Sequence, residues 1–241
     1  MGRSLLLADI HANLRALDAV LQDAWLGGGF DSVWVLGDVV GYGPEPDECV
    51  SRLREYPLLC VAGNHDLGAV GSIDLRRFNP DAAAACLWSR RRLSASSLLF
   101  LRELPLERRV PPFLLVHGSP RDPVWEYVSS PEDALLVGAS CVETHCLAGH
   151  THRPCVLDMI VGSVPALIDA AGVALVGRLF INPGAVGQPR DGDPRAAYAV
   201  LDSDAGVVSF HRVVYDVRGT ADDMMRNGLP VALAWRLHTG C

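Results

Sequence analysis

Short apolar runs recur along the chain, and most end on a polar motif. Residues 5–8 run into Asp9, 33–36 into Gly37-Asp38, and 58–62 into Gly63-Asn64. Further on, 113–116 run into His117 and 146–148 into Gly149-His150. Continuous apolar runs this short read as strands buried on both faces.

The first intervals between these runs carry helical spacing. From 13 to 26, apolar residues fall at Leu14, Leu17, Leu21, Ala24 and Trp25, one helical face closed by Gly27-Gly28-Gly29. A second helix is expected over 44–55, with proline near its start. Alternating strand and helix implies right-handed crossovers and a parallel sheet, whose ligands bind at the carboxyl ends of the strands. The first three polar motifs fall at that edge.

Segments 79–93 and 96–104 also look helical but carry no motif. Beyond Pro105 the pattern turns β-rich, with strands expected over 154–160, 174–181, 197–201 and 207–213. The second half therefore predicts a second, mostly antiparallel or mixed sheet packed on the first, with helices outside. No internal repeat or linker divides the chain, so 1–241 reads as one domain.

Composition narrows the function classes. A formal charge of −7 argues against a general nucleic-acid binder. All 21 basic residues are arginine, a bias that reads as genomic base composition and carries little functional weight. Seven cysteines without a CxxC pair point to reduced thiols. The apolar stretch before Asp9 is too short for a secretory signal. The longest apolar stretch, 161–176, is broken by Pro165, Asp169 and Gly172, so no membrane span is expected. Cytoplasmic localisation follows as the expectation.

The polar motifs hold the chemistry. Asp9-Ile10-His11 puts a carboxylate and an imidazole at i and i+2, which point the same way in an extended chain. Asp38 directly follows the second strand, and its two oxygens could bridge two cations at the separation of about 3.5–4 Å used for displacement at phosphorus. Its alternative is an Asx turn. Gly63-Asn64-His65-Asp66 is more specific, offering a sharp turn, an amide oxygen and a titratable nitrogen; its alternative is a helix cap. His117 gains weight from its place after a strand, and Gly149-His150-Thr151-His152 repeats the i, i+2 alternation. Asp9, His11, Asp38, Asn64, His117, His150 and His152 form a mixed nitrogen and oxygen set. Such a set suits transition metals better than Ca²⁺ or Mg²⁺. A structural zinc site would instead favour paired cysteines.

These motifs, in this order, resemble the calcineurin-like metallophosphoesterase superfamily, over roughly the first two-thirds of the chain. The resemblance implies an α/β fold, a four-layer αββα sandwich of two mixed sheets flanked by helices. It also implies that Asp9, His11 and His152 serve one ion and Asn64, His117 and His150 the other, with Asp38 bridging. The stretches from Gly37 to Pro44 and from Asn182 to Asp191 look like the compact bacterial and archaeal branch, which includes small phosphodiesterases and dinucleoside-polyphosphate hydrolases. Where protein Ser/Thr phosphatases carry GDxxDRG, this chain has Gly41, Tyr42 and Gly43. The phosphate-gripping Arg and the Asp that orients the catalytic His are absent there, so another group must orient His65.

The expected activity is hydrolysis of a phosphodiester or nucleotide phosphoanhydride by hydroxide held between two divalent transition-metal ions, manganese first, with iron or zinc also accommodated. His65, not needed as a ligand, is assigned to the leaving oxygen. Weaker substrate-contact candidates are Arg190, Arg121 and Tyr42; His145, His211 and His238 lack a motif. The partner is a small-molecule phosphoester. Competing readings are a phosphomonoesterase or protein phosphatase, and a metal-free binding module on the same fold. The last would show replaced ligands, and all seven are intact.

Overall fold

The computed structural model describes residues 2–163 and 170–241. The middle of the 161–176 apolar stretch lies outside the described residues. Among the described residues no helix is long and apolar enough to cross a membrane.

Three parallel strands open the chain: β1 (Arg3–Leu7), β2 (Ser32–Val35) and β3 (Leu58–Cys60), linked by helices α1 (Leu14–Leu26) and α2 (Pro46–Leu53). Asn13 caps α1 by accepting from the Ala16 N–H. Helices α3 (Asn64–Val70), α4 (Pro80–Arg92) and α5 (Ala95–Glu103) follow. Next come β4 (Glu107–Val110), β5 (Phe113–Val116), α6 (Pro131–Ser140), β6 (His145–Leu147) and β7 (Cys155–Asp158). The chain ends with β8 (Val173–Ala174), β9 (Leu179–Asn182), β10 (Ala196–Asp202), β11 (Val207–Val213), α7 (Val217–Arg226) and α8 (Val231–Thr239).

The strands form two mixed sheets, ordered β3-β2-β1-β10-β11-β8 and β4-β5-β6-β9-β7. They pack face to face on a core that includes Leu6, Trp34 and Leu36 from one sheet and Phe113, Leu115 and Ile181 from the other. Side-chain alternation sends Leu5 and Leu7 the opposite way, against Leu17 and Val20 of α1. On the second sheet, Leu114 and Val116 meet Ala134 and Val137 of α6. The result is the expected four-layer sandwich. A further cluster joins α7 and α8 to α4 around Tyr42.

Three details differ from the sequence reading. The strand expected over 174–181 is split: β8 edges the first sheet and β9 runs inside the second, with Gly177 at a φ of 76° between them. Strands β10 and β11 extend the first sheet instead of building the second, because β10 pairs antiparallel with β1. Helices α6, α7 and α8 carried no motif and were not singled out. The parallel strands of both sheets nevertheless end at one common edge, and the polar motifs meet there.

Candidate metal centre

Asp9 and His11 do not sit on an extended chain. Strand β1 stops at Leu7, and the two residues have φ of 53° and 49°. Asp38, His150 and His152 are also left-handed, at 56°, 67° and 58°. Non-glycine residues seldom adopt this region, so five such residues at one edge mark concentrated backbone strain. A tight turn, not strand alternation, brings Asp9 and His11 together. Backbone N–H groups of Asp9 and His11 donate to the carbonyls of Gly37 and Asp38, tying the first motif to the second.

Asn64 opens α3, and Asp66, two residues on, caps it. The Asp66 carboxylate accepts from the Gly63 N–H and the Val40 N–H, each at 3.0 Å. Capping and the candidate site thus coexist, with Asp66 taking the structural part. A side chain at Gly63 would collide with the backbone nitrogen and carboxylate of Asp38. The third and second motifs meet at that close approach.

All seven predicted ligands and His65 are buried. Two buried carboxylates need compensating positive charge when ionised. Ring-nitrogen roles follow from their partners. His11 Nδ1 lies 3.2 Å from the Val40 carbonyl, His117 Nδ1 2.8 Å from that of Leu36, and His152 Nδ1 2.5 Å from that of Gln188. Each back nitrogen donates to its carbonyl, so each Nε2 presents a lone pair in the neutral ring.

Those lone pairs converge. His11 Nε2 and His152 Nε2 lie 3.2 Å apart, and His152 Nε2 lies 3.3 Å from Asp9 Oδ1. Asp9 Oδ1 is buried without a hydrogen-bond partner. Three acceptors facing one another repel unless a cation or a proton lies among them. On the other side, His117 Nε2 lies 3.1 Å from Asn64 Oδ1 and 3.0 Å from His150 Nδ1. Between the two groups stands Asp38, with Oδ2 3.7 Å from His11 Nε2 and 3.4 Å from His117 Nε2. Donors about 2.1 Å from one ion stand roughly 3.0–3.4 Å apart, so the residues present fit cations in both groups. The sets Asp9–His11–His152 and Asp38–His117–His150 each gather within 4.8 Å. His11, Asp38 and His65 also do so.

Ionisation follows the same geometry. Burial, reinforced by Asp38, pushes Asp9 up to about 7. Burial opposes charge on His117, but Asp38 and Asp9 outweigh it and raise the imidazole to about 9. Asp38 is held well below its usual range; burial works against this, and His117 and His65 prevail. A proton on His117 thus balances the Asp38 carboxylate beside it. Burial lowers His65 to about 4, leaving it neutral.

The other candidates separate clearly. Arg190 donates to the Tyr42 hydroxyl and to Gln188 Oε1, each at 3.2 Å, and both Arg190 and Tyr42 line a cavity of about 210 Å³ over Asp38 and His65. Arg121 is not among that cavity's lining residues; it pairs with Glu126. The Tyr42 ring packs 4.4 Å from His11 and 4.3 Å from His65. His145 stacks on Phe113 in the sheet, and His211 on Tyr198, away from the cavity.

Several residues escaped the sequence reading. Asn182 is fully buried and donates to the Gly149 carbonyl and Thr151 Oγ1, bracing the loop that carries His150 and His152. Cys86 reaches His65 from α4. Phe78, Trp125 and Tyr127 build an aromatic wall of the cavity. Cys86 and the three aromatic residues had no flanking motif; Asn182, which opens the stretch 182–191 and closes the last parallel strand, had been given no role of its own.

Comparisons with known proteins show the family. The family model of the calcineurin-like phosphoesterase superfamily domain matches residues 3–206. The uncharacterized protein MJ0912 of Methanocaldococcus jannaschii is 35% identical, over 97% of this chain and 96% of that protein. A metallophosphoesterase from Sphaerobacter thermophilus has a crystal structure that superposes with a TM-score of 0.90 at 43% identity, covering 100% of this chain and 99% of that one. A shorter match, 36% identity over 63 residues, links 25% of this chain to 22% of the symmetrical bis(5'-nucleosyl)-tetraphosphatase of Pseudomonas entomophila. Motif order, sandwich and buried donor groups all belong together: the chain is a member of the calcineurin-like phosphoesterase superfamily, a family of metal-dependent phosphoester hydrolases.

Proposed function

We propose that the protein is a dinuclear metal-dependent hydrolase of a phosphodiester or nucleotide phosphoanhydride bond. The observation that carries this reading is Asp38 Oδ2, which faces a donor nitrogen of each buried group at 3.7 and 3.4 Å. Asp9, His11 and His152 would hold one divalent cation, Asn64, His117 and His150 the other, with Asp38 shared. Such cations, when bound, make water a nucleophile near neutral pH and neutralise charge on phosphoryl oxygens. Imidazole nitrogens with carboxylate and amide oxygens suit manganese, iron or zinc, and manganese is the first to supply.

The chain's own residues do the remaining work. Arg190, held by Tyr42 and Gln188, directs a planar guanidinium at the phosphate oxygens. His65 keeps a ring N–H for the leaving oxygen. The aromatic wall of the cavity gives a second organic substituent somewhere to pack, which favours a diester or nucleotide over a small monoester. The matched segment of the symmetrical bis(5'-nucleosyl)-tetraphosphatase supports the anhydride option. Protein phosphatase activity fits poorly, because Gly41-Tyr42-Gly43 leaves no arginine or aspartate there. All seven cysteines are unpaired, which suits a reducing cytoplasm.

The deciding assay is hydrolysis of bis-p-nitrophenyl phosphate with added Mn²⁺, beside p-nitrophenyl phosphate and the Asp38→Ala variant. Mn²⁺-dependent turnover that favours the diester and disappears in the variant is expected. A protein that purifies without stoichiometric metal and gains no activity from Mn²⁺ would instead be a binding module.

A further inference from the structure

The cavity is walled by more than a phosphate requires. Beyond its floor at Asp38 and His65, the rings of Phe78 and Trp125 meet edge to face at 5.1 Å. Tyr127 lies flat on His150, with centroids 4.0 Å apart and planes inclined by 9°, yet remains 52% exposed. An aromatic ring anchored beside the donor groups and half open to solvent is a stacking platform.

Charge adds a second requirement. The Arg77 guanidinium sits 4.2 Å over the Trp125 ring and lines the same cavity. Among the described residues neither Arg77 nor Arg190 makes an ion pair with a carboxylate, although neighbouring Arg76 pairs with Asp74 and Arg121 with Glu126. In a chain of net charge −7, two arginines at one cavity that hold no direct ion pair among the described residues favour an anionic ligand. Arg190 is placed at the floor and Arg77 at the aromatic wall, so the two reach different parts of such a ligand.

We propose that Arg77, Phe78, Trp125 and Tyr127 form a nucleotide subsite, in which the aromatic rings stack the base and Arg77 grips a second phosphate. The phosphate at Arg190 and Asp38 is the one to be cleaved, so this assignment rests on the phosphoesterase reading. A sugar phosphate would leave the rings uncovered, and a neutral aromatic ester would leave Arg77 without a partner. A nucleoside di- or polyphosphate satisfies both.

The test is calorimetric titration of the Mn²⁺-loaded protein with inorganic phosphate, AMP and α,β-methylene-ADP. AMP is expected to bind about tenfold tighter than phosphate, and the diphosphate about tenfold tighter again. Trp125→Ala should remove the first gain, while Trp125→Phe retains most of it. Arg77→Gln, at an exposed position, should remove only the second. Equal affinity for the three ligands, or an unchanged second gain in Arg77→Gln, overturns the subsite. The titration requires no turnover, so failure to hydrolyse bis-p-nitrophenyl phosphate would count against the phosphoesterase reading alone.

Discussion

Cys86 Sγ lies 3.4 Å from His65 Nδ1, inside the protein. Burial, with Asp38 and Asp66 nearby, pushes the thiol well above its ordinary range, so the sulfur keeps its proton. Nδ1 is the nearer of the two acceptors within reach of the S–H, the other being the His65 carbonyl at 3.9 Å, and donation to Nδ1 leaves the ring proton on Nε2. The ring is further fixed by Tyr42 at 4.3 Å, by Phe78 at 5.2 Å and edge-on by His11 at 4.8 Å. Gly41 completes the pocket, because a side chain there would overlap the imidazole. A thiol thus stands where the sequence showed no orienting aspartate.

Replacing that thiol should act on kcat more than on KM. Cys86→Ala is expected to cost about two- to tenfold in kcat, the worth of one hydrogen bond, and Cys86→Ser to retain most of the rate. The loss should grow when p-nitrophenol is replaced by phenol as the leaving group, because a poorer leaving group depends more on a positioned proton. An equal loss for both leaving groups would show that Cys86 only supports packing.

His65 itself should matter far more. His65→Ala is expected to lower kcat by roughly 10²–10⁴, the usual share of positioned acid–base groups. Metal content by atomic emission should stay at the wild-type level. A variant that loses one ion per chain would make His65 a ligand, consistent with its proximity to His11 and Asp38.

Gly63→Ala tests the close approach between motifs. Its methyl group would overlap Asp38 at both backbone and carboxylate, and the backbone there has no flexible side chain to give way. We expect a folded but less stable protein, by about 1–3 kcal/mol, whose metal affinity falls because Asp38 has moved. Thermal unfolding and metal titration together would check this; an unchanged metal affinity would show that the strands can separate without disturbing Asp38.

Sequence reading located the donors and missed their supports, for a physical reason. Asp9, Asp38, Asn64, His117 and His150 each follow an apolar run, so strand ends announced them. Asn182 also ends a strand, but its work is to hold Gly149, a contact 33 residues away that spacing cannot display. Cys86 sits on a helix among alanines and looks like ordinary core. The extended-chain argument for Asp9 and His11 assumed a geometry that the chain does not adopt, because left-handed φ values are not legible in DIH. Likewise β10 pairs with β1 across nearly the whole chain, and nothing local in 197–201 specifies which sheet it joins.

Asn182→Asp removes one buried donor group while keeping its shape. The carboxylate would face the Gly149 carbonyl that Asn182 Nδ2 now satisfies at 2.6 Å. Loss of stability of about 1–3 kcal/mol is expected from the buried groups left unpaired. A tenfold to hundredfold drop in metal affinity, of the size seen when ligand-supporting groups are removed, should accompany it. Chemical denaturation with and without Mn²⁺ separates the two effects.

The metal-free and metal-loaded proteins should respond to pH in opposite senses. His117 is raised from 6.5 to about 9, so its contribution to stability is complete below about pH 6.5 and is lost as pH rises through 9. Asp9, raised from 3.8 to about 7, likewise stabilises the fold while protonated and ceases to as pH passes 7. The depressed Asp38 acts only at the acid end, losing its contribution as pH falls through its low folded value. Between pH 6 and 9 the metal-free protein should therefore weaken by a few kcal/mol. Metal binding displaces the His117 and Asp9 protons, so affinity should climb over the same interval. Melting curves in EDTA and in Mn²⁺ should diverge from pH 6 to pH 9, and a gap that stays constant would mean that these two residues do not bind the ions.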